Sequence, residues 1–146
     1  MEFQAEIIPE DERLISLFAH LSFFFGSLII PLIFWLVYRE KSKFITFNSV
    51  QALIFHIVYI GMNFILIGCL AVIMGLAGLL NKSGGIPSTP NIIPLILIII
   101  VSLIIIGFIG FCIFYSIYMA VLSYKGKTKM YPVIGNIVYK KIYGLS

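Results

Sequence analysis

The chain has 146 residues, 61% of them apolar and only 11% charged, with a mean hydropathy of +1.11, whereas an ordinary soluble domain is roughly 25% charged. A water-facing surface cannot be built from this composition, which excludes a soluble enzyme, a secreted disulfide scaffold and a nucleic-acid-binding domain. The expected fold is an all-α integral membrane bundle, a single membrane domain over residues 1–146. Its net charge of +4 is better read as membrane orientation, because the basic residues sit in short segments between apolar runs.

The acidic N-terminal segment, residues 1–13, carries Glu2, Glu6, Glu10, Asp11 and Glu12 against Arg13. This is the reverse of a signal peptide's basic start, so the first apolar block is expected to remain in the mature protein. Three charge-free stretches follow, giving predicted membrane segments over 14–38, 50–80 and 92–124. Each exceeds the roughly 20 apolar residues that a spanning helix needs. From Ile92 to Gly110, fifteen of nineteen residues are Ile, Leu, Val or Phe, worth roughly −4.5 to −9 kcal/mol toward insertion. Ile favours strand in water, but in lipid only a helix satisfies a lone segment's backbone.

The first block has two readings: one span, or a hairpin broken near Gly26 and Pro31, which would make four helices. Arg39 to Lys43 forms a short basic connector, and Lys82 to Pro90 a Gly/Pro/Ser loop that ends both neighbouring helices. The basic tail, 125–146, is predicted to hold an interfacial helix, with Ile134, Ile137, Val138 and Ile142 at helical spacing.

Cytoplasmic loops hold the excess of Lys and Arg. Three spans put eight basic residues on one face against two, and the hairpin puts nine against one; splitting the third block at Gly107 and Gly110 ranks last. Either leading model expects the cell (inner) membrane, with the connector and the C-terminus cytoplasmic.

His20 and His56 are the clearly titratable side chains within the apolar blocks, and with Asn63 they form the candidate intramembrane polar site. The competing reading is neutral, hydrogen-bonded packing. The two histidines can meet only if the first block is a hairpin. Gly61, Gly68 and Gly75 recur every seven residues, with Ala71 and Gly78 between or after them, so one stripe of the second long helix is a candidate packing seam within the protein or with a partner. Arg39, Lys41, Lys43, Lys125, Lys127 and Lys129 are candidate lipid-headgroup contacts, flanked by Trp35, Tyr38 and Tyr124 at the interface. Cys69 and Cys112 are expected to be small core residues. No metal or cofactor motif appears, nor any carboxylate inside the apolar blocks, so no enzymatic activity is expected.

Several stretches carry a resemblance: Asp11-Glu12-Arg13, Ala19-His20-Leu21-Ser22, Pro31 to Leu36, Ser42 to Ile45, Phe47 to Leu53, Lys125-Gly126 and Tyr131 to Gly135. Together they resemble a family of small prokaryotic membrane proteins of unknown function, itself similar to the Tic-type subunit of the chloroplast inner-envelope import channel. That resemblance implies four helices with both termini on one side, and a role in protein translocation or insertion. The chain departs from it at Asn48, where the family often has His, and in lacking a Gly/Pro-rich insertion near Gly26. The expected function is therefore a non-catalytic subunit or helper of a larger membrane assembly, with the lipid bilayer and other membrane proteins or further copies as partners. The alternative is a small homo-oligomeric channel or transporter lined by His20, His56 and Asn63.

Overall fold

In a computed structural model, which describes residues 8–25, 28–83, 92–132 and 134–144, every regular element is helical. The elements are α1 (Glu10–Leu21), a 3-10 turn (Ser22–Phe25), α2 (Ile29–Tyr38), α3 (Lys43–Ser83), α4 (Ile92–Tyr124) and α5 (Ile134–Tyr143). Most of the predicted Gly/Pro/Ser loop lies outside the described residues, as do Gly26 and Val133.

The first apolar block is broken into two helices. Glu10, Asp11 and Glu12 occupy the first turn of α1, where the helix dipole favours negative charge. The helix ends at Ser22, whose hydroxyl donates to the Ala19 carbonyl at 2.8 Å and so satisfies one of the terminal acceptors. In α2, Pro31 falls in the first turn, where its missing N–H costs no helical bond. At 1.5 Å per residue α1 is about 18 Å long and α2 about 15 Å, well short of a hydrocarbon core of roughly 30 Å.

α3 begins at Lys43 rather than near Val50, because Ser42 caps it: the Ile45 N–H donates to Ser42 Oγ at 3.2 Å, which is N-cap geometry. Glu12 accepts from the same hydroxyl at 2.6 Å. α4 runs unbroken through Gly107 and Gly110. It ends in a Schellman turn, with Gly126 at φ +72°, Gly126 N–H donating to Ser123 at 2.9 Å and Lys127 N–H to Leu122 at 3.0 Å.

The chain forms two compact units. The first comprises residues up to Val58 and from Ile113 onward; the second is Tyr59–Cys112. The first unit has a strongly polar interior. Ser16, His20, Ser22, Ser42, Thr46, Asn48, Ser49, Gln51, His56, Ser116 and Ser123 are all buried there, beside Ala19, Ile45, Phe47, Met119 and Tyr131. Within this unit the Glu12–Ser42 bond and the packing of Arg13 beside Gly126 bring the start of α1, the α2–α3 connector and the turn after α4 to one end. The first block is thus a hairpin that leaves that end and returns to it.

The tail helix α5 docks on the first unit through Val138 and Gly135, both buried, and through Tyr139 and Tyr143, which meet the ring of Phe47 edge-on at 5.6 and 5.9 Å. Ile137 stays exposed.

In the second unit α3 contributes residues 59–83 and α4 residues 92–112, about 37 and 31 Å of helix, each close to the hydrocarbon thickness. Both helices are long and apolar enough to cross a membrane. Their large side chains are largely uncovered, Phe64 at 74% and Ile93 at 71% exposure among them. Such a face suits lipid and not water. Tyr59 stacks on Phe108 at 6.0 Å, and Cys112 is buried while Cys69 is exposed, so the expectation of a core cysteine holds for one of the two.

Two outcomes follow. Single cysteines at Glu10→Cys and Lys141→Cys, in a background without Cys69 and Cys112, should be labelled by a membrane-impermeant maleimide from the same side. Labelling from opposite sides would contradict the hairpin. Gly135→Ala should loosen the tail by about 1–3 kcal/mol through overpacking, because its Cβ would lie 2.7 Å from Gln51 Oε1 and from Met130 Cα; faster hydrogen exchange over 131–143 is the readout.

Candidate functional site

The polar interior of the first unit centres on His20. Its Nε2 faces Asn48 Oδ1 at 3.2 Å, while Asn48 Nδ2 donates to the Phe44 carbonyl one turn back at 2.9 Å. An amide oxygen only accepts, so Nε2 carries the hydrogen and Nδ1 accepts from the Tyr131 hydroxyl at 3.1 Å. Ser116 on α4 donates to the His20 carbonyl at 2.7 Å. One residue of α1 is thereby tied to α3, α4 and the tail.

Tyr131 is held by a second pair of bonds. Its N–H donates to Gln51 Oε1 at 2.8 Å, and Gln51 Nε2 donates to the Lys129 carbonyl at 3.2 Å. The ring of Tyr131 lies 4.8 Å from Phe55 and 5.2 Å from Tyr115. Phe23, 5.8 Å from Phe55, also reaches His56 at 5.5 Å. His20 and His56 therefore belong to one aromatic and polar cluster, which the hairpin permits.

Asn63 belongs to the second unit, where its amide donates to the Tyr59 carbonyl of its own helix at 2.9 Å. At Gly61, Gly68, Gly75 and Gly78 an added Cβ would meet no atom of the chain within 4 Å, and Ala71 is exposed. Among the described residues, then, the chain itself does not fill the stripe at these glycines. The six candidate headgroup contacts, Arg39, Lys41, Lys43, Lys125, Lys127 and Lys129, are all exposed; Arg39 pairs with Glu40 at 3.5 Å, and Lys41 lies 5.9 Å from the Tyr38 ring centre.

With both imidazole nitrogens engaged, His20 offers a substrate neither lone pair nor proton. No group of three His, Cys, Asp or Glu able to hold a metal occurs among the described residues. An apolar cavity of about 300 Å³ opens between α1 and α2, lined by Phe18, Leu21, Phe25, Ile33 and Phe34 among others, and brings no acid or base with it. The cluster's evident work is to join segments distant in sequence. In the sequence Asn48 stands out only as a departure from the resemblance, and Gln51 and Tyr131 only as members of its quoted stretches, so the one signal for Tyr131 is its place in the Tyr131-Pro132 motif beside the lysines.

A model of the magnetosome magnetite crystal formation protein family, MamF/MmsF, matches residues 11–138. The chain belongs to the MamF/MmsF family. No curated protein and no solved structure matches it. The match corrects the resemblance to a Tic-type import-channel subunit and removes the ground for a translocation role. The stretches behind that resemblance all lie inside the matched region. Each is a short word of two to seven residues, and several, such as Pro31 to Leu36, are apolar runs of a kind that multi-pass membrane proteins share because the bilayer imposes it. His20, Asn48, Gln51, His56, Ser116 and Tyr131 also fall within the MamF/MmsF match.

His20→Leu leaves buried Asn48 Oδ1 and Tyr131 Oη without their partner and should cost about 1–3 kcal/mol. Tyr131→Phe removes one neutral bond and should cost about 1 kcal/mol. Thermal unfolding in detergent micelles measures both, and equal midpoints for His20→Leu and wild type would remove the cluster's structural role.

Proposed function

We propose that this chain is a non-catalytic, multi-pass component of a membrane assembly in which magnetite crystals form, and that it acts by associating with other membrane proteins through its second unit. It resides in the cell (inner) membrane or a membrane derived from it, with the basic connector and tail on the cytoplasmic side, as the excess of Lys and Arg there favours. Membership of the MamF/MmsF family supports the setting.

The observation that carries the mode of action is the bare stripe on α3. Lipid tails are as apolar as Leu, so helices in a bilayer associate where small residues let backbones approach. Gly61, Gly68, Gly75 and Gly78 offer such a strip, where an added Cβ meets no atom of the described residues within 4 Å. Direct handling of iron by clustered carboxylates, as in di-iron bundles, finds little support: the chain has six Asp and Glu, five of them in its first twelve residues.

At Gly68 and Gly75 an added Cβ has open space among the described residues, so in Gly68→Leu and Gly75→Leu the protein's own unfolding midpoint should stay within a few degrees of wild type. Co-purification of partner membrane proteins in mild detergent should fall several-fold. In a cell that makes magnetite, the same variants should alter crystal size or number in the same direction as deletion of the gene in a parallel strain. Unaltered complexes and crystals with both variants would overturn this mode of action.

A further inference from the structure

The first turn of α1 contains a cation without a counter-charge among the described residues. Arg13 is the one basic residue ahead of Arg39. Its Nε is buried and has no hydrogen-bond partner among the described residues. The neighbouring Glu12 carboxylate is engaged by Ser42 Oγ at 2.6 Å. Glu10 and Asp11 are exposed and form no ion pair with Arg13 among the described residues. A buried donor on a charged group left unmade is among the costlier defects in a folded protein.

The surroundings of this guanidinium select what completes it. Its Cδ lies 3.5 Å from where a Cβ of Gly126 would stand, so the side chain runs along the turn that closes α4. That turn is fixed by two backbone bonds, Gly126 to Ser123 and Lys127 to Leu122. It presents exposed Lys125 and Lys127 on either side of Gly126. Tyr124, half exposed at the end of a charge-free spanning helix, sits where amphipathic rings mark the headgroup layer. A planar N–H fork running along a turn that carries two exposed lysines fits an anion with several acceptor oxygens.

We propose that Arg13, with Lys125 and Lys127 on the Gly126 turn, binds the phosphate of an anionic membrane phospholipid. The lipid joins the start of the first helix to the end of the last spanning helix. A zwitterionic lipid is disfavoured, since its own ammonium would sit among three cations.

The test titrates phosphatidylglycerol and phosphatidylcholine separately into the full-length protein in detergent and follows bound lipid by native mass spectrometry. Wild type should retain phosphatidylglycerol in preference to phosphatidylcholine. Arg13→Gln should weaken phosphatidylglycerol about fivefold or more, the usual contribution of one cation at an anionic surface, and leave phosphatidylcholine unchanged. The double variant Lys125→Gln/Lys127→Gln, at exposed positions, should do the same and decides the matter if Arg13→Gln does not fold, while Lys140→Gln/Lys141→Gln should match wild type. Equal retention of the two lipids by wild type, or a folded Arg13→Gln that binds phosphatidylglycerol normally, overturns the proposal. Competition by inorganic phosphate at the lipid's own concentration assigns the site to a free anion and overturns the lipid assignment.

Discussion

A single carboxamide holds the polar half of the molecule together. Gln51 spends both ends of its side chain on the backbone of the tail, accepting from Tyr131 N–H and donating to the Lys129 carbonyl. The segment between α4 and α5 is not helical, so its buried backbone groups need partners from elsewhere, and Gln51 supplies two. Asn would fall one methylene short, and Glu could not donate to Lys129. Once the tail is fixed, Tyr131 reaches His20, and His20 in turn reaches Asn48. The close approach of Gly135 to Gln51 explains why the first turn of α5 holds so small a residue.

Much of the fold was legible because the bilayer allows few solutions. Charge-free runs bounded by Lys, Gly and Pro located the long helices, and Pro31 with Gly26 marked where the first block breaks. The start of α3 was misplaced for a physical reason. Thr46, Asn48 and Ser49 fall ahead of the segment predicted over 50–80, yet all three are buried, and Thr46 and Asn48 spend their side chains on partners inside the first unit. The second unit shows the converse, with its apolar side chains on the outside. Composition reports how polar a segment is, but which of its faces is covered depends on the other helices.

The site was only half legible. His20 and His56 stood out as ionisable residues in apolar surroundings, and the hairpin condition for their meeting came from topology alone. Tyr131 could not be found that way, since no local period links it to a residue 111 positions earlier. Lineage is hidden for a related reason: short motifs in a membrane protein carry much of the bilayer's constraint, and the match over residues 11–138 has the length to separate the two.

The two partners of His20 are made at very different times. Asn48 lies 28 residues downstream, whereas Tyr131 lies 111. At 5–20 residues per second, a ribosome needs on the order of ten seconds to go from one histidine to that tyrosine. During that interval the first hairpin and α3 wait in or beside the insertion machinery with one imidazole nitrogen unmet and Gln51 without either of its bonds. Closure of the polar cluster is therefore a post-insertion event, set by the last fifth of the polypeptide. A nascent chain truncated before Tyr131 would carry both long helices and still lack the fastening that makes the first unit a single body.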